Sequence, residues 1–340
     1  MSTTTVDVDS ETQEPVGESR GSRNGGRSVL RFVGKYGTII VLLGMCIGFS
    51  AGNPSAFVTW RNVSNILTEA SLTAVVAGGL TFPLLVGEFD MSVGFSASLS
   101  CVLVAGLMSQ QHLPIGAAIL LVILLGAVVG LVNGLIVTKV GVNALVGTLG
   151  TGTVLVGIDY AYSGGLPVSV PSGSQFGQIF DGSVWGIPNP IVIMVVILAI
   201  LWLVLNRTAL GQATQATGGN VVAARLSGIR VDRVKIIAFT IAGICAAMTG
   251  ILLASQLQAG ELGSGDGYLL DSFAACFLGA AVLRDGQFHI VGTLVGVLTV
   301  GVGFTGLVIF GAPTAYQYLF EGLLLVLAVG LSSTARRFAR

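Results

Sequence analysis

Ten apolar runs follow one another along the chain with little between them, near residues 36–51, 66–86, 93–109, 115–138, 144–162, 187–205, 234–256, 269–283, 290–310 and 315–331. A helix of roughly 20 apolar residues crosses the hydrocarbon of a bilayer. In lipid a helix also satisfies every backbone N–H and C=O from within, which open sheets and loops cannot do. Charged residues make up only 9 % of the 340 positions, against about 25 % in soluble domains. A soluble protein of this size could not cover its surface with so few. The expected fold class is therefore an all-α membrane protein with about ten transmembrane helices. Two runs differ from the rest: 66–86 contains Pro83, and 269–283 is short for a full crossing. Broken or re-entrant helices are expected there, since freed backbone groups are tolerated where they line a cavity or are buried in protein.

Small residues are plentiful, and membrane helices use them to bring backbones together. Gly126, Gly130 and Gly134 recur every four residues, as do Gly292 and Gly296; these are expected packing faces. The stretch 147–152, Gly-Thr-Leu-Gly-Thr-Gly, follows no strand and lies in an apolar run, so it reads as helix packing rather than a nucleotide loop. Cys46, Cys101, Cys245 and Cys276 fall inside apolar runs and are expected as free buried thiols.

Charge gives the orientation. With the N-terminus inside, every Lys and Arg except Arg61 falls in the N-terminal tail, the turns at Lys139 and Arg284, the 206–235 loop or the C-terminus. That is the positive-inside pattern. Both termini are then cytoplasmic, with Trp60 and Trp185 at the outer interface. Residues 1–35 are expected as a disordered tail without a secretory signal, 36–331 as the transmembrane domain, and 332–340 as a basic tail. The outer loops hold no sizeable domain.

The 206–235 loop carries Arg207, Arg225, Arg230, Arg233 and Lys235. Within it Asn220 suits the N-cap of a short helix over 221–226, and Gly228 suits the left-handed residue that ends one. A short helix on a basic loop outside the bilayer is a handle for something in the cytoplasm.

Enzymatic classes find no support. The three lysines, Lys35, Lys139 and Lys235, are followed by Tyr36, Val140 and Ile236, so no phosphate-binding loop is present. His112 and His289 stand alone and are expected as solvated loop residues. No metal, cofactor or nucleic-acid site is expected, because the basic residues are scattered among loop ends. Two acidic stretches do interrupt the apolar pattern. The first, residues 87–94, contains Glu88, Phe89, Asp90 and Ser92; the second, 261–271, contains Tyr268 and Asp271. A carboxylate at mid-membrane costs about 2.5–3.5 kcal/mol, so each should face water or a donor. Asp90 or Ser92 is expected either to cap the third span or, beyond that, to sit at a broken helix lining a pathway. The second stretch is read equally as an outer loop with a helix start or as a discontinuity opposite the first, which together would fit an inverted repeat. Asn133 and Asn143 are further polar residues near spans and suit a pathway or ties between helices.

The stretches Gly87-Glu-Phe-Asp-Met-Ser-Val-Gly94, Gly130-Leu-Val-Asn-Gly134, Gly147-Thr-Leu-Gly150, Asn206-Arg-Thr-Ala-Leu-Gly211, Gly218-Gly-Asn-Val-Val-Ala-Ala-Arg-Leu-Ser-Gly-Ile229 and Gly267-Tyr-Leu-Leu-Asp271, in that order, resemble the ribose-type permeases of bacterial ABC sugar importers. The similarity extends from about residue 57 to 331, and the 218–229 block is its most specific part. The resemblance implies a type II ABC importer-like permease in the bacterial inner membrane. It further implies a pair of permeases, as homo- or heterodimer, a cytoplasmic ABC ATPase (separate subunits or a tandem) and an extracellular sugar-binding protein. Implied substrates are ribose, other monosaccharides, polyols and a furanosyl autoinducer. By the same resemblance Gly218, Gly219, Asn220, Ala223, Ala224, Arg225, Leu226, Ser227 and Gly228 form the coupling helix that docks on the ATPase. Ala223 and Ala224 would permit close docking, and Arg225 would meet acids on the partner. The chain departs from the family pattern at Glu88, Phe89 and 279–281, with Arg284 and Asp285 in the following turn. Two other classes are kept: a secondary transporter driven by protons through Glu88, Asp90 or Asp271, and a receptor or scaffold without transport.

Overall fold

The computed structural model describes residues 24–280 and 286–338. Its principal helices are α1 (Asn24–Gly52), α2 (Trp60–Leu85), α3 (Val93–Ser109), α4 (Ile115–Leu135, continued by a π-helical turn Ile136–Val140), α5 (Ala144–Ser163) and α6 (Asn189–Arg207). They continue as α7 (Ala209–Gly219), α8 (Val221–Leu226), α9 (Val231–Leu257), α10 (Gly267–Ala280), α11 (Ile290–Ile309) and α12 (Thr314–Phe338). Each of the ten apolar runs is helical over its described residues. Six of these helices are long and apolar enough to cross a membrane, and four more are shorter apolar helices. The chain is a multi-pass membrane protein.

Local chemistry sets many of the boundaries. Thr59, Asn143, Thr208 and Asn220 cap α2, α5, α7 and α8 by accepting bonds from free N–H groups in the first turn. Gly141, with φ +80°, turns the chain out of the π-helical end of α4.

The core lies between α2, α6, α9, α10 and α11. Glycine lets the backbones meet. A Cβ on Gly126 would strike Gly243 O, one on Gly130 would strike Phe239 O, and one on Gly134 would lie 2.7 Å from Ile236 Cα, so α4 lies directly on α9. Likewise Gly292 and Gly296 of α11 lie on Gly279 and Ala275 of α10. The packing repeats itself with the halves exchanged. A long helix, a short link and a shorter helix run from α2 to α3 and again from α9 to α10. The next helix of each half leans on the long helix of the other, α4 on α9 and α11 on α2. The helix after that flanks the short one, α5 on α3 and α12 on α10. This is the arrangement expected of paired repeats.

The two ends of the bundle differ. At one end Lys139 Nζ lies 2.8 Å from Asp232 Oδ2, Arg225 Nη2 lies 3.6 Å from Asp232 Oδ1, and Lys235 pairs with Glu88. The Lys139 turn, the 206–235 loop and the 87–92 turn, read as sharing one side, therefore share one end. At the other end β1 (Val168–Ser169) pairs antiparallel with β4 (Ala259–Gly260), and β2 (Ser183–Val184) with β3 (Ile187–Pro188). Trp185 stands almost fully exposed between β2 and β3.

Several expectations need correction. Helix α1 begins at Asn24, so the segment read as a tail is helical from there; Arg27, Arg31 and Lys35 recur at helical spacing among Val29, Leu30, Phe32 and Val33. Residues 1–23 lie outside the described residues. The basic C-terminal segment continues α12 as far as Phe338, because its Ala and Arg residues favour helix and no Gly or Pro stops it. Pro83 does not interrupt α2 but sits in its last turn, and the break follows it. His289 is not solvated: it is buried at the start of α11, where Nδ1 accepts the Gly292 N–H at 2.9 Å. Cys101, Cys245 and Cys276 are buried free thiols, whereas Cys46 is half-exposed. The departures at Ala281, Arg284 and Asp285 lie outside the described residues.

Candidate functional site

The link between α2 and α3, residues 86–92, turns inward from the basic end. Glu88 holds Lys235, from the second turn of α9. Beyond it the chain enters the bundle, and Asp90 and Ser92 are buried. Asn133 Nδ2 donates to Ser92 Oγ at 2.8 Å, and Ser92 Oγ donates to Asp90 Oδ1 at 2.6 Å. Asp90 Oδ1 also accepts the Ser92 N–H at 3.0 Å. Thr148 of α5 accepts the Met91 N–H at 2.9 Å. The link is thus fastened to α4, α5 and α9 by side chains rather than by a helix ladder. Neither Asp90 nor Ser92 caps α3 in the expected way: Ser92 occupies the N-cap without a side-chain bond to the first turn. Asp90 Oδ2 and Asn133 Oδ1 are buried without a hydrogen-bond partner among the described residues.

The second link, between α9 and α10, descends from the opposite end along α3. Gly260 lies on Val102, and further down Gly265 and Asp266 lie against Gly94. Ser98 Oγ donates to Asp266 Oδ1 at 3.0 Å and accepts the Gly265 N–H at 2.9 Å. The start of α10 therefore meets the start of α3. Phe89, 38 % exposed, completes the junction by stacking on Phe273 and Phe277 of α10 at 5.9 and 6.4 Å between centroids. Two helix starts facing each other inside one bundle give a place where backbone and short polar side chains can face a route between the ends.

At the basic end, α7 and α8 stand on the bundle as a unit. A Cβ on Gly218 would run into Leu85 O, so the end of α7 rests on the last residue of α2. Asn220 Oδ1 accepts from Val222 N and Ala223 N, both at 3.0 Å, and Gly228 takes φ +82° after the helix, both as expected. Ala224 is buried against the bundle, so of the two alanines only Ala223 is free for docking. Val222 and Leu226 present the free face, 67 % and 85 % exposed. Beside them lies a cleft of about 420 Å³ bordered by Lys139, Arg225, Arg230, Asp232 and Arg233. A large apolar side chain so exposed among cations suits a partner with an apolar notch and an acidic rim.

The structure brings together Glu88, Asp90, Ser92 and Asn133, and joins Phe89 to α10. Asn143 is apart from them, since Oδ1 caps α5 by accepting from Leu145 N at 3.0 Å. Tyr268 and Asp271 border a separate cavity between α2, α10, α11 and α12. Thr148 was missed as an anchor because a threonine at helical spacing carries no signal of its own. Glu321, close to Asp271, did carry one: a lone acid inside the last apolar run. Among the described residues no group of three or more His, Cys, Asp or Glu is placed to hold a metal ion.

A family model described as branched-chain amino acid transport system / permease component matches residues 62–329. Among curated proteins the chain is 39 % identical over 297 residues to the ribose import permease protein RbsC of Bacillus subtilis (strain 168), covering 87 % of this chain and 91 % of that one. It is 35 % identical over 295 residues to RbsC of Escherichia coli (strain K12), covering 86 % and 91 %. It is 33 % identical over 300 residues to the D-allose transport system permease protein AlsC of the same strain, covering 88 % and 92 %. No solved structure matches.

Proposed function

The chain belongs to the family of branched-chain amino acid transport system permease components, among its ribose-type ABC permeases, and from that premise we propose that it carries a monosaccharide-like solute inward across the bacterial inner membrane on work supplied by a separate ATPase. Ten helices span the membrane in this reading, with both termini in the cytoplasm and the basic end inside. The positive-inside distribution supports that direction. An extracellular binding protein delivers the solute. Two permease chains, identical or paired with another, enclose the route. The names of the relatives point to ribose or allose; polyols and a furanosyl autoinducer belong to the same chemical range.

One observation carries the mechanism. The helices on either side of the exposed α8 are tied to the α2–α3 region, α7 by Gly218 on Leu85 at the end of α2 and α9 by Lys235 on Glu88 in the link. Just beyond those ties along the chain lies the buried Asp90–Ser92–Asn133 network. Leu226, Val222 and Ala223 dock on the ATPase, with Arg225 and its neighbours meeting acids. Arg225 already lies near Asp232, so docking competes with an internal partner. When the nucleotide-bound ATPases close, α8 moves, Lys235 and Leu85 move with it, and the 86–92 link is pulled relative to α3. The link also holds Phe89 against α10, so both helix starts shift together and access changes sides.

Co-purification tests the docking. The wild-type chain should retain its ATPase through detergent extraction, whereas Leu226→Asp should lose it while staying folded; retention by the variant would remove the docking role. A second reading, proton-coupled transport without an ATPase, draws on Asp90 and Asp271, each with a buried carboxylate oxygen lacking a hydrogen-bond partner among the described residues.

A further inference from the structure

A cavity of about 350 Å³ opens between α2, α10, α11 and α12, towards the end that carries β1 and β4. Its size lies within the range of about 300–1,000 Å³ usual for small-molecule sites. Its make-up is two-sided. Ile66, Ala70, Val297, Val300 and Phe304 form an apolar floor, and Glu69, Tyr268, Asp271 and Gln317 form a polar rim. Glu69 is exposed and accepts from Gln256 Nε2 at 3.0 Å. Asp271 Oδ1 is buried without a hydrogen-bond partner among the described residues.

These features restrict the occupant. An acyl chain would suit the floor but leave the buried Asp271 oxygen unmet, at the cost that lipid imposes on polar groups. A metal ion would need a cluster of ligands, and none is found among the described residues. A small polyhydroxylated molecule satisfies both sides. Its C–H faces lie on Phe304 and the aliphatic floor, and its hydroxyls donate to Asp271 and Glu69 and accept from the Gln317 amide and the Tyr268 hydroxyl.

We propose that this cavity is a station on the outer half of the transport route, where the arriving solute is held before the junction of α3 and α10 opens. The proposal rests on the reading of the chain as a sugar permease and adds residues that this reading does not supply.

Gly301 offers the test. A Cβ there would meet only Ala70 Cβ at 3.6 Å and Ile66 Cγ2 at 3.8 Å, which is ordinary contact, so a longer side chain extends into the cavity. Gly301→Leu is compared with Gly44→Leu on α1, where nothing lies within 4 Å. Uptake of radiolabelled D-ribose and D-allose is measured in cells with all partners present. Gly301→Leu should lower uptake at least tenfold with unchanged ATPase association, and Gly44→Leu should not. In parallel, Gln317→Cys in a Cys46→Ser background is alkylated in membrane vesicles with and without the transported sugar. The sugar should slow the reaction severalfold. Wild-type uptake by Gly301→Leu, or no protection by a sugar that wild-type protein transports, would overturn the station while leaving the transport reading intact. No uptake by wild-type protein of either sugar, of a polyol or of the furanosyl autoinducer would remove the premise and the station with it.

Discussion

Glu88→Gln separates a mechanical link from an incidental ion pair. The Lys235 and Glu88 side chains keep only 20 % and 17 % of their exposure. Pairs open to water are worth about 0–1 kcal/mol, and removing one partner of a fully buried pair costs about 3–5 kcal/mol. With roughly four-fifths of each side chain out of water, an intermediate figure of about 2 kcal/mol is appropriate, or roughly thirtyfold at tenfold per 1.4 kcal/mol. Glutamine keeps the size and the acceptor but leaves Lys235 facing a neutral group. Lys235→Met removes the cation instead, and the double variant removes the uncompensated charge. The assay is solute imported per ATP hydrolysed in proteoliposomes containing the permease, its ATPase and the binding protein, with thermal unfolding recorded on the same samples. Each single variant should unfold earlier and lose roughly tenfold or more in import per ATP, and the cycle should give a coupling energy of about 2 kcal/mol. The double variant should regain stability, since an apolar replacement removes the buried charge, but not coupling. Import per ATP within twofold of wild type in Glu88→Gln would refute the argument that this pair carries motion from α8 to the link.

Other parts of the account meet simpler tests. Leu226→Asp, at a residue 85 % exposed, should change stability by no more than about 0.5 kcal/mol, so any loss of ATPase-stimulated transport in it reports docking. Gly130→Leu should separate α4 from α9, because even a Cβ there runs into Phe239 O; overpacking of about 1–3 kcal/mol should appear as a lower melting temperature, and an unchanged one would contradict that contact. Asn133→Ala removes the donor to Ser92 Oγ and should cost about 1–3 kcal/mol, together with slower transport at unchanged membrane insertion. A cysteine at Gly164 should react with an impermeant reagent from outside and one at Val222 should not; the reverse pattern would invert the topology.

Helices, and the grouping of basic turns at one end of the bundle, were legible because lipid imposes a simple rule. Apolar runs of bilayer length, the glycine spacing at 126, 130 and 134, and the cations at one set of turns each follow from a single physical demand. The cap at Asn220 and the turn at Gly228 were readable for the same reason, since both are local. What escaped depends on which residues meet across the bundle. That Glu88 would hold Lys235, or that Phe89 would stack on Phe273, requires knowing that the 86–92 link dips beside α10, and a one-dimensional pattern does not contain that distance. Asn143 and Asn133 illustrate the limit: both are asparagines near the basic end of the bundle, yet one caps a helix at the surface and the other donates to a buried serine. Ala224 was misjudged because a six-residue helix is too short for its apolar spacing to reveal which face turns inward. The helical extensions at Asn24 and Phe338 were missed because composition marks where polar residues lie, not where a helix ends.

The most direct measurement is solute accumulation in proteoliposomes made with the permease alone and with its ATPase and binding protein. The account predicts uphill import only when the ATPase and ATP are present, and none from a proton gradient across vesicles holding the permease by itself. Accumulation by the lone permease on a proton gradient would contradict it.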